Sequence, residues 1–236
     1  MEGMITLIGV GHVFDLAGRL RGEIIARTPG LVCIELDRGR FQALLERQTP
    51  QAAGVPIMYQ VLAAFQQRMA EQYGTQVGDE MLAAAEAAKE LKAGLAFIDL
   101  DASVVFQEFW GGMSLKEKVK LMLASFMGLF AGRRSVEKEV EHFEQNPQDY
   151  IEAFSKEFPS AKRILIDKRD EHMAQKLREF HPRFEKIVAV VGDGHIEGMS
   201  RRLADLKPEI VRLSALRRQA DLKLREGETT FTYSFQ

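Results

Sequence analysis

Two short glycine–histidine turns, one near each end of the chain, constrain the fold more than any other feature. The apolar run Ile187–Val191 stops at Gly192 and is followed by Asp193, Gly194 and His195. Near the start, Ile5–Ile8 runs into Gly9, Val10, Gly11 and His12. Each reads as strand, Gly-x-Gly-His, then helix. An apolar strand without polar alternation is the kind buried on both faces of a parallel sheet. In open α/β sheets the working groups gather at the carboxyl ends of the strands. Two such elements at opposite ends of one domain therefore bring two imidazoles toward one sheet edge.

The chain between them supports an α/β class. After His12, Val13, Leu16, Leu20 and Ile24 form a helical stripe, and Leu31–Ile34 is a second apolar strand that delivers Glu35 and Asp37 at its end. Phe41, Leu44 and Leu45 mark the next helix, giving β-α-β-α and hence a mainly parallel sheet with right-handed crossovers and helices on both faces. Thr49–Pro56 reads as a loop and Ile57–Gln72 as an amphipathic helix. Gly78, Asp79 and Glu80 open a further helix with Asp79 as its N-cap. Leu95–Leu100 reads as a strand ending in Asp99 and Asp101. Residues 102–158 form a helical insert within a single domain. Inside it, Ser114 and Glu117 have capping-box spacing ahead of Val119–Phe130, and Asn146-Pro147 starts another helix. Arg163–Ile166 reads as a short strand, and Ile210–Leu213 as a further one. Thr229–Phe235 alternates polar and aromatic residues, the pattern of a half-buried C-terminal edge strand.

Composition narrows the classes of function. A net charge of −2 gives no bulk electrostatic reason to expect nucleic acid. The single cysteine, Cys33, lies mid-strand, where it reads as a small buried hydrophobe in a reducing compartment. The longest uncharged run, Leu121–Gly132, is short of the roughly 20 apolar residues of a membrane span, and no leader pattern stands at the N-terminus. A cytoplasmic protein without a membrane span is the expectation. The apolar helix Leu121–Phe130 reads as core, a homodimer contact or a cover over a substrate groove.

His12, Glu35, Asp99, Arg169, Asp170 and His195 all fall at expected carboxyl ends. Two histidines and one carboxylate suffice to hold a divalent metal with an open position for water. The glycines beside each histidine allow a sharp turn and leave room for a ligand. Arg169 suits stabilisation of negative charge on an attacked oxygen. Each residue also has a plainer reading: Glu35 as a salt-bridge partner, Asp79 as a cap, and Glu80 as either cap or ligand. His142, His172 and His181 lie on polar stretches and read as solvated.

Five short motifs stand in a shared order: Gly9–His12, Val32–Asp37, Gly78–Met81, Arg169–Ala174 and Val190–His195. In this the chain, from about residue 4 to 206, resembles the TraB/PrgY family, which includes pheromone-shutdown proteins and is related to Tiki metalloproteases and GumN proteins. The resemblance implies an α/β fold with a metal-dependent peptidase centre. It implies His12, His195 and Glu35 as metal ligands, Arg169 as their companion, and Glu80 and Asp170 as secondary candidates. Manganese or cobalt is the implied metal, while the ligand types equally admit zinc or iron. Two departures stand out. Lys168 replaces the acidic residue common before Arg-Asp, and Asp99-Leu100-Asp101 stands where Asp-Arg is usual.

The resulting expectation is a metal-dependent hydrolase acting on peptides. The alternative is a non-catalytic protein that captures a peptide or small molecule in the same pocket. A weaker third reading, haem association, rests only on the available histidines and methionines.

Overall fold

The computed structural model describes residues 3–11, 16–46, 78–120, 156 and 158–217. Five parallel strands form its sheet: β1 (Met4–Val10), β2 (Leu31–Ile34), β3 (Gly94–Phe97), β4 (Lys186–Gly192) and β5 (Glu209–Val211). Their order across the sheet is β3-β2-β4-β1-β5. The two glycine–histidine strands are therefore neighbours. β1 pairs with β4 along its full length, from Met4 opposite Lys186 to Val10 opposite Gly192. Their carboxyl ends stand side by side, although His12 itself lies outside the described residues.

Strand periodicity sends alternate side chains to two separate cores. On one face Ile8, Val10, Val32, Ile34, Val188 and Val190 pack against α1 (Ala17–Arg27) and α3 (Asp79–Leu91). On the other, Ile5, Leu7, Cys33, Ile187, Ala189 and Val191 pack against α6 (Lys168–Phe180) and α7 (Asp193–Arg202). Cys33 is fully buried, as its apolar neighbours imply.

Right-handed crossovers explain the division. The chain steps outward from β1 through β2 to β3 with helices on the first face. It then returns through β4 to β5 with helices on the second. Adjacent strands β2 and β4 thus send their following segments to opposite sides, which opens a crevice at their carboxyl ends.

Several helix starts follow sequence rules. Asp37 caps α2 (Arg38–Leu45) by accepting from the Arg40 amide at 2.8 Å. Asp101 caps α4 (Ala102–Gly112) through the Ser103 amide at 2.8 Å. The Ser114–Glu117 capping box forms both ways, at 2.8 and 3.3 Å, and the following stretch 115–120 is helical. Glu117 also accepts from the Ser160 amide at 3.1 Å, which ties this helix to α5 (Pro159–Lys162).

Other expectations are corrected. Asp79 is not the cap of α3; Gly78 is, with φ +96°, and the Leu44 side chain fills the space where a β-carbon would stand. Arg163–Ile166 is not a strand. It lies in a π turn, Arg163–Asp167, that joins α5 to α6 without a break. Its apolar run of three residues, Ile164–Ile166, carries no periodicity that separates strand from helix, and here only Ile164 is buried, as suits one helical face. His181 is not solvated: its Nε2 donates to the Gly3 carbonyl at 2.7 Å. His172 is half-buried, and burial together with Lys176 lowers its pKa. The expected elements Thr49–Pro56, Ile57–Gln72, Leu121–Phe130, the helix at Asn146-Pro147, Thr229–Phe235 and the position of His142 lie outside the described residues.

The short edge strand β5 is fastened by polar contacts. Glu209 accepts from Thr6 Oγ1 at 3.0 Å and pairs with Arg27 at 2.7 Å. The Arg27 contact, foremost, holds its carboxyl below the usual range. A depressed carboxylate pKa stabilises the fold above the unfolded value, about 4.3, and that contribution vanishes as pH falls through the lower folded value. Glu209→Gln is expected to narrow the stability gap between pH 7 and pH 3, read from urea midpoints at the two pH values. Equal losses at both would refute the linkage.

Candidate functional site at the β2–β4 crevice

Five side chains from four segments meet where β2 and β4 end. Glu35 follows β2 directly, and Asp99 follows β3. Arg169 and Asp170 stand in the first turn of α6, and His195 in the first turn of α7. Helices that lead back into parallel strands start at the carboxyl edge of the sheet, so residues of strand ends and helix starts share one surface. Arg169 and Asp170 therefore reach this edge from a helix, not from the expected strand end.

Glu35 is the hub. Its Oε2 accepts from the Gly192 amide at 2.6 Å, directly across the crevice. Its Oε1 accepts from Arg169 Nη2 and lies 3.3 Å from His195 Nε2. Arg169 extends to Asp99 through Nε at 2.9 Å and Nη2 at 2.7 Å, and to the Leu165 carbonyl at 3.2 Å. Burial works against ionisation of Glu35, but His195, Arg169 and the Gly192 amide outweigh it. They hold its carboxyl well below the usual range. Arg169 is likewise opposed by burial, yet Glu35 and Asp99 raise its pKa further.

His195 is clamped from its other nitrogen. Nδ1 lies 2.6 Å from Asp170 Oδ1, which is almost fully buried. With Nδ1–H donated to Asp170, Nε2 is aimed at Glu35, the tautomer that leaves Nε2 for a ligand when the ring is neutral. Burial lowers the imidazole pKa, but Glu35 and Asp170 reverse the effect and raise it to about 9. Burial raises the pKa of Asp170, with His195 acting against the rise.

Neither Gly9 nor Gly192 takes a left-handed turn, and only Gly9 lacks room for a β-carbon. Gly192 has φ −56°, and a β-carbon there would sit 3.4 Å from Glu35 Oε2 and 3.7 Å from the His195 ring. At Gly9 a β-carbon would meet Asp193 Oδ1 at 2.2 Å. That carboxylate is fixed by Arg212 Nε at 3.0 Å and the Leu213 amide at 2.9 Å. The space beside Gly9 is thus filled by the protein's own side chain, not left for a ligand.

The remaining candidates separate. Glu80 is buried in the first turn of α3, at the same sheet edge but on the other face. Lys168, the departure beside Arg169, pairs with Glu108 at 2.5 Å on the exposed side. The site also holds residues not expected from sequence. Arg40 joins Asp37, at 2.6 Å, to Asp99. Arg202 bonds the Gly198 and Asp167 carbonyls at 3.0 and 3.2 Å and comes within 3.8 Å of Asp170. Arg40 lies in the first turn of α2 and Arg202 is the last residue of α7, positions that carry no sequence signal for such a role.

Among the described residues, no group of three His, Cys, Asp or Glu side chains is placed to hold a metal. Glu35 and His195 offer two converging donor atoms of suitable chemistry, so a complete set requires a third ligand; His12, the expected one, lies outside the described residues.

In metal-free protein the proton on His195 is bound more tightly folded than unfolded. Its stabilisation is complete below about 6.5 and is lost as pH rises through about 9. An imidazole NMR titration is expected to give a midpoint near 9 for His195, and Asp170→Asn should lower it. A midpoint unmoved by that substitution would contradict the Asp170 contact.

Comparisons with known proteins place the chain in a family. A family model described as the TraB/PrgY/gumN family matches residues 2–211, which takes in every strand and every member of the cluster. An uncharacterized protein of Methanocaldococcus jannaschii is 28% identical over 214 residues, covering 86% of this chain and 54% of that protein. The chain thus spans about half the length of that curated relative. On the extent of the family match, the chain belongs to the TraB/PrgY/gumN family.

Proposed function

We propose that the crevice is the centre of a metal-dependent hydrolase acting on peptides, with Glu35, His195 and His12 as metal ligands. The observation that carries this reading is the approach of His195 Nε2 to Glu35 Oε1, 3.3 Å, while Asp170 holds the opposite ring nitrogen at 2.6 Å. A carboxylate behind a ligating histidine is the usual arrangement that fixes ring orientation and strengthens the donor. Manganese or cobalt is the proposed metal, with zinc and iron compatible with the same ligand types. A bound divalent metal would supply a water of lowered pKa and polarise a carbonyl.

The protein's own groups have definite parts in this reading. Asp170 orients His195 and balances its charge. Arg169 is fixed by Asp99 through Nε and Nη2 and by the Leu165 carbonyl through Nη1, so its guanidinium stays at the crevice. There it suits a substrate oxygen on which negative charge grows. Gly192 holds the Glu35 carboxylate through its amide, at 2.6 Å.

One observation favours the second reading, capture without turnover. Both Glu35 oxygens already accept bonds from protein donors, Arg169 and Gly192. A carboxylate so engaged can serve as a fixed counter-charge instead of a ligand.

Metal content separates the two. Purified protein loaded with manganese and then desalted is expected to retain about one ion per chain. His195→Ala and Glu35→Gln should lower affinity by 10-fold or more, and Asp170→Asn by about 10–100-fold, the range for a carboxylate that holds a ligating histidine from behind. Elemental analysis showing no retained metal after loading with manganese, cobalt, zinc or iron would remove the hydrolase reading.

A further inference from the structure

β3 ends the sheet on one side. The amides of Gly94 and Ile98 donate to the Gly30 and Ile34 carbonyls of the β2 segment, at 3.0 and 3.1 Å. Successive residues of a strand turn their main-chain groups to opposite sides. Gly94, Ala96 and Ile98 therefore face β2, while Leu95 and Phe97 turn N–H and C=O outward. Among the described residues no strand pairs with that side.

A groove of about 650 Å³ follows this edge. Leu31 and Ala96 line its floor, and Phe180 and Phe184 one end. At the other end stand Asp99 and Asp101. Asp99 is the residue that grips Arg169, at 2.9 and 2.7 Å. The groove thus runs from an apolar seat to Asp99, the carboxylate that holds Arg169 of the cluster.

We infer that the open edge of β3 is a docking strand for an extended peptide, which lies in this groove with one end beside Asp99. The inference rests on the peptide reading of the site and names how such a substrate is held. A donor and acceptor recurring every second residue match an extended main chain, the basis of strand addition. The groove's aromatic end takes an apolar side chain of the peptide. Four outward main-chain groups are a slight contact for a stable dimer, which buries about 1,200–2,000 Å². They suit a peptide of four or five residues, roughly 13–16 Å at ~3.3 Å per residue.

Amide hydrogen exchange on the full chain, resolved by residue, tests this. EDTA is included so that nothing is cleaved, and a tryptic digest of casein is the probe. In free protein the Ala96 and Ile98 amides are expected to exchange slowly, and those of Leu95 and Phe97 quickly. The digest should slow Leu95 and Phe97 at least tenfold. Leu95→Pro deletes one outward donor at an edge position where proline is tolerated. It should abolish the slowing at Phe97 while Ala96 and Ile98 remain protected. If that variant does not fold, methylating alternate amides of one bound peptide should weaken binding at every second position.

Three results would overturn the inference. The first is no slowing at Leu95 and Phe97 with digest. The second is slowing in free protein at every concentration, the sign of another segment of this chain on the edge. The third is slowing that grows with protein concentration alone, the sign of a second copy. Edge protection without manganese retention would sink the hydrolase reading and leave the docking strand standing. Manganese retention without edge protection would do the reverse.

Discussion

A buried carboxylate, Glu35, is the constraint on which the carboxyl edge of this sheet depends. Taking an ion out of water costs several kcal/mol even after relaxation, and only close partners repay it. Glu35 has three: the Arg169 guanidinium, the Gly192 amide and the His195 ring. Each comes from a different segment. Satisfying one charge therefore fixes the start of α6, the end of β4 and the start of α7 relative to β2.

The same logic extends outward in both directions. Arg169 is half-buried and takes its second carboxylate from Asp99, which Arg40 also contacts. Arg40 passes the network to Asp37, and Asp37 accepts from the Ala102 amide at 3.2 Å, so two helix starts are drawn in. On the other side His195 leads to Asp170, and Asp170 lies against Gly198, where a β-carbon would stand 1.8 Å from Oδ2. The close approach of α6 to α7 requires glycine there. The chain of charges runs cation, anion, cation, anion, with few hydrogen-bonding positions left over, which is how a buried polar network becomes rigid.

Handedness decides where this network lies. Right-handed crossovers put the helices after β2 and those after β4 on opposite faces. The sheet edge therefore splits between these two strands, and Glu35 and His195 stand on either side of the split. The π turn Arg163–Asp167 contributes locally: its carbonyls at Leu165 and Asp167 are taken by Arg169 and Arg202. A turn that leaves helix carbonyls to side chains is thereby joined to the residues of the site.

The sequence by itself determined the α/β class, apolar strands at Ile5–Ile8, Leu31–Ile34 and Ile187–Val191, the first and last of which the structure extends to Val10 and Gly192, and the presence of Glu35, Arg169, Asp170 and His195 at one edge. Those features are local: a strand buried on both faces must be apolar throughout, and a Gly-x-Gly turn marks its end. Strand order, the pairing of β1 with β4, the helical state of Arg163–Ile166 and the grip of Arg40 and Arg202 were decided only by the tertiary structure. They rest on contacts between residues far apart in the chain, such as Arg169 with Glu35, whose partners no local pattern specifies. Gly9 shows the boundary: the sequence reads it as leaving room for a ligand, but only the packed structure reveals that Asp193 fills that space.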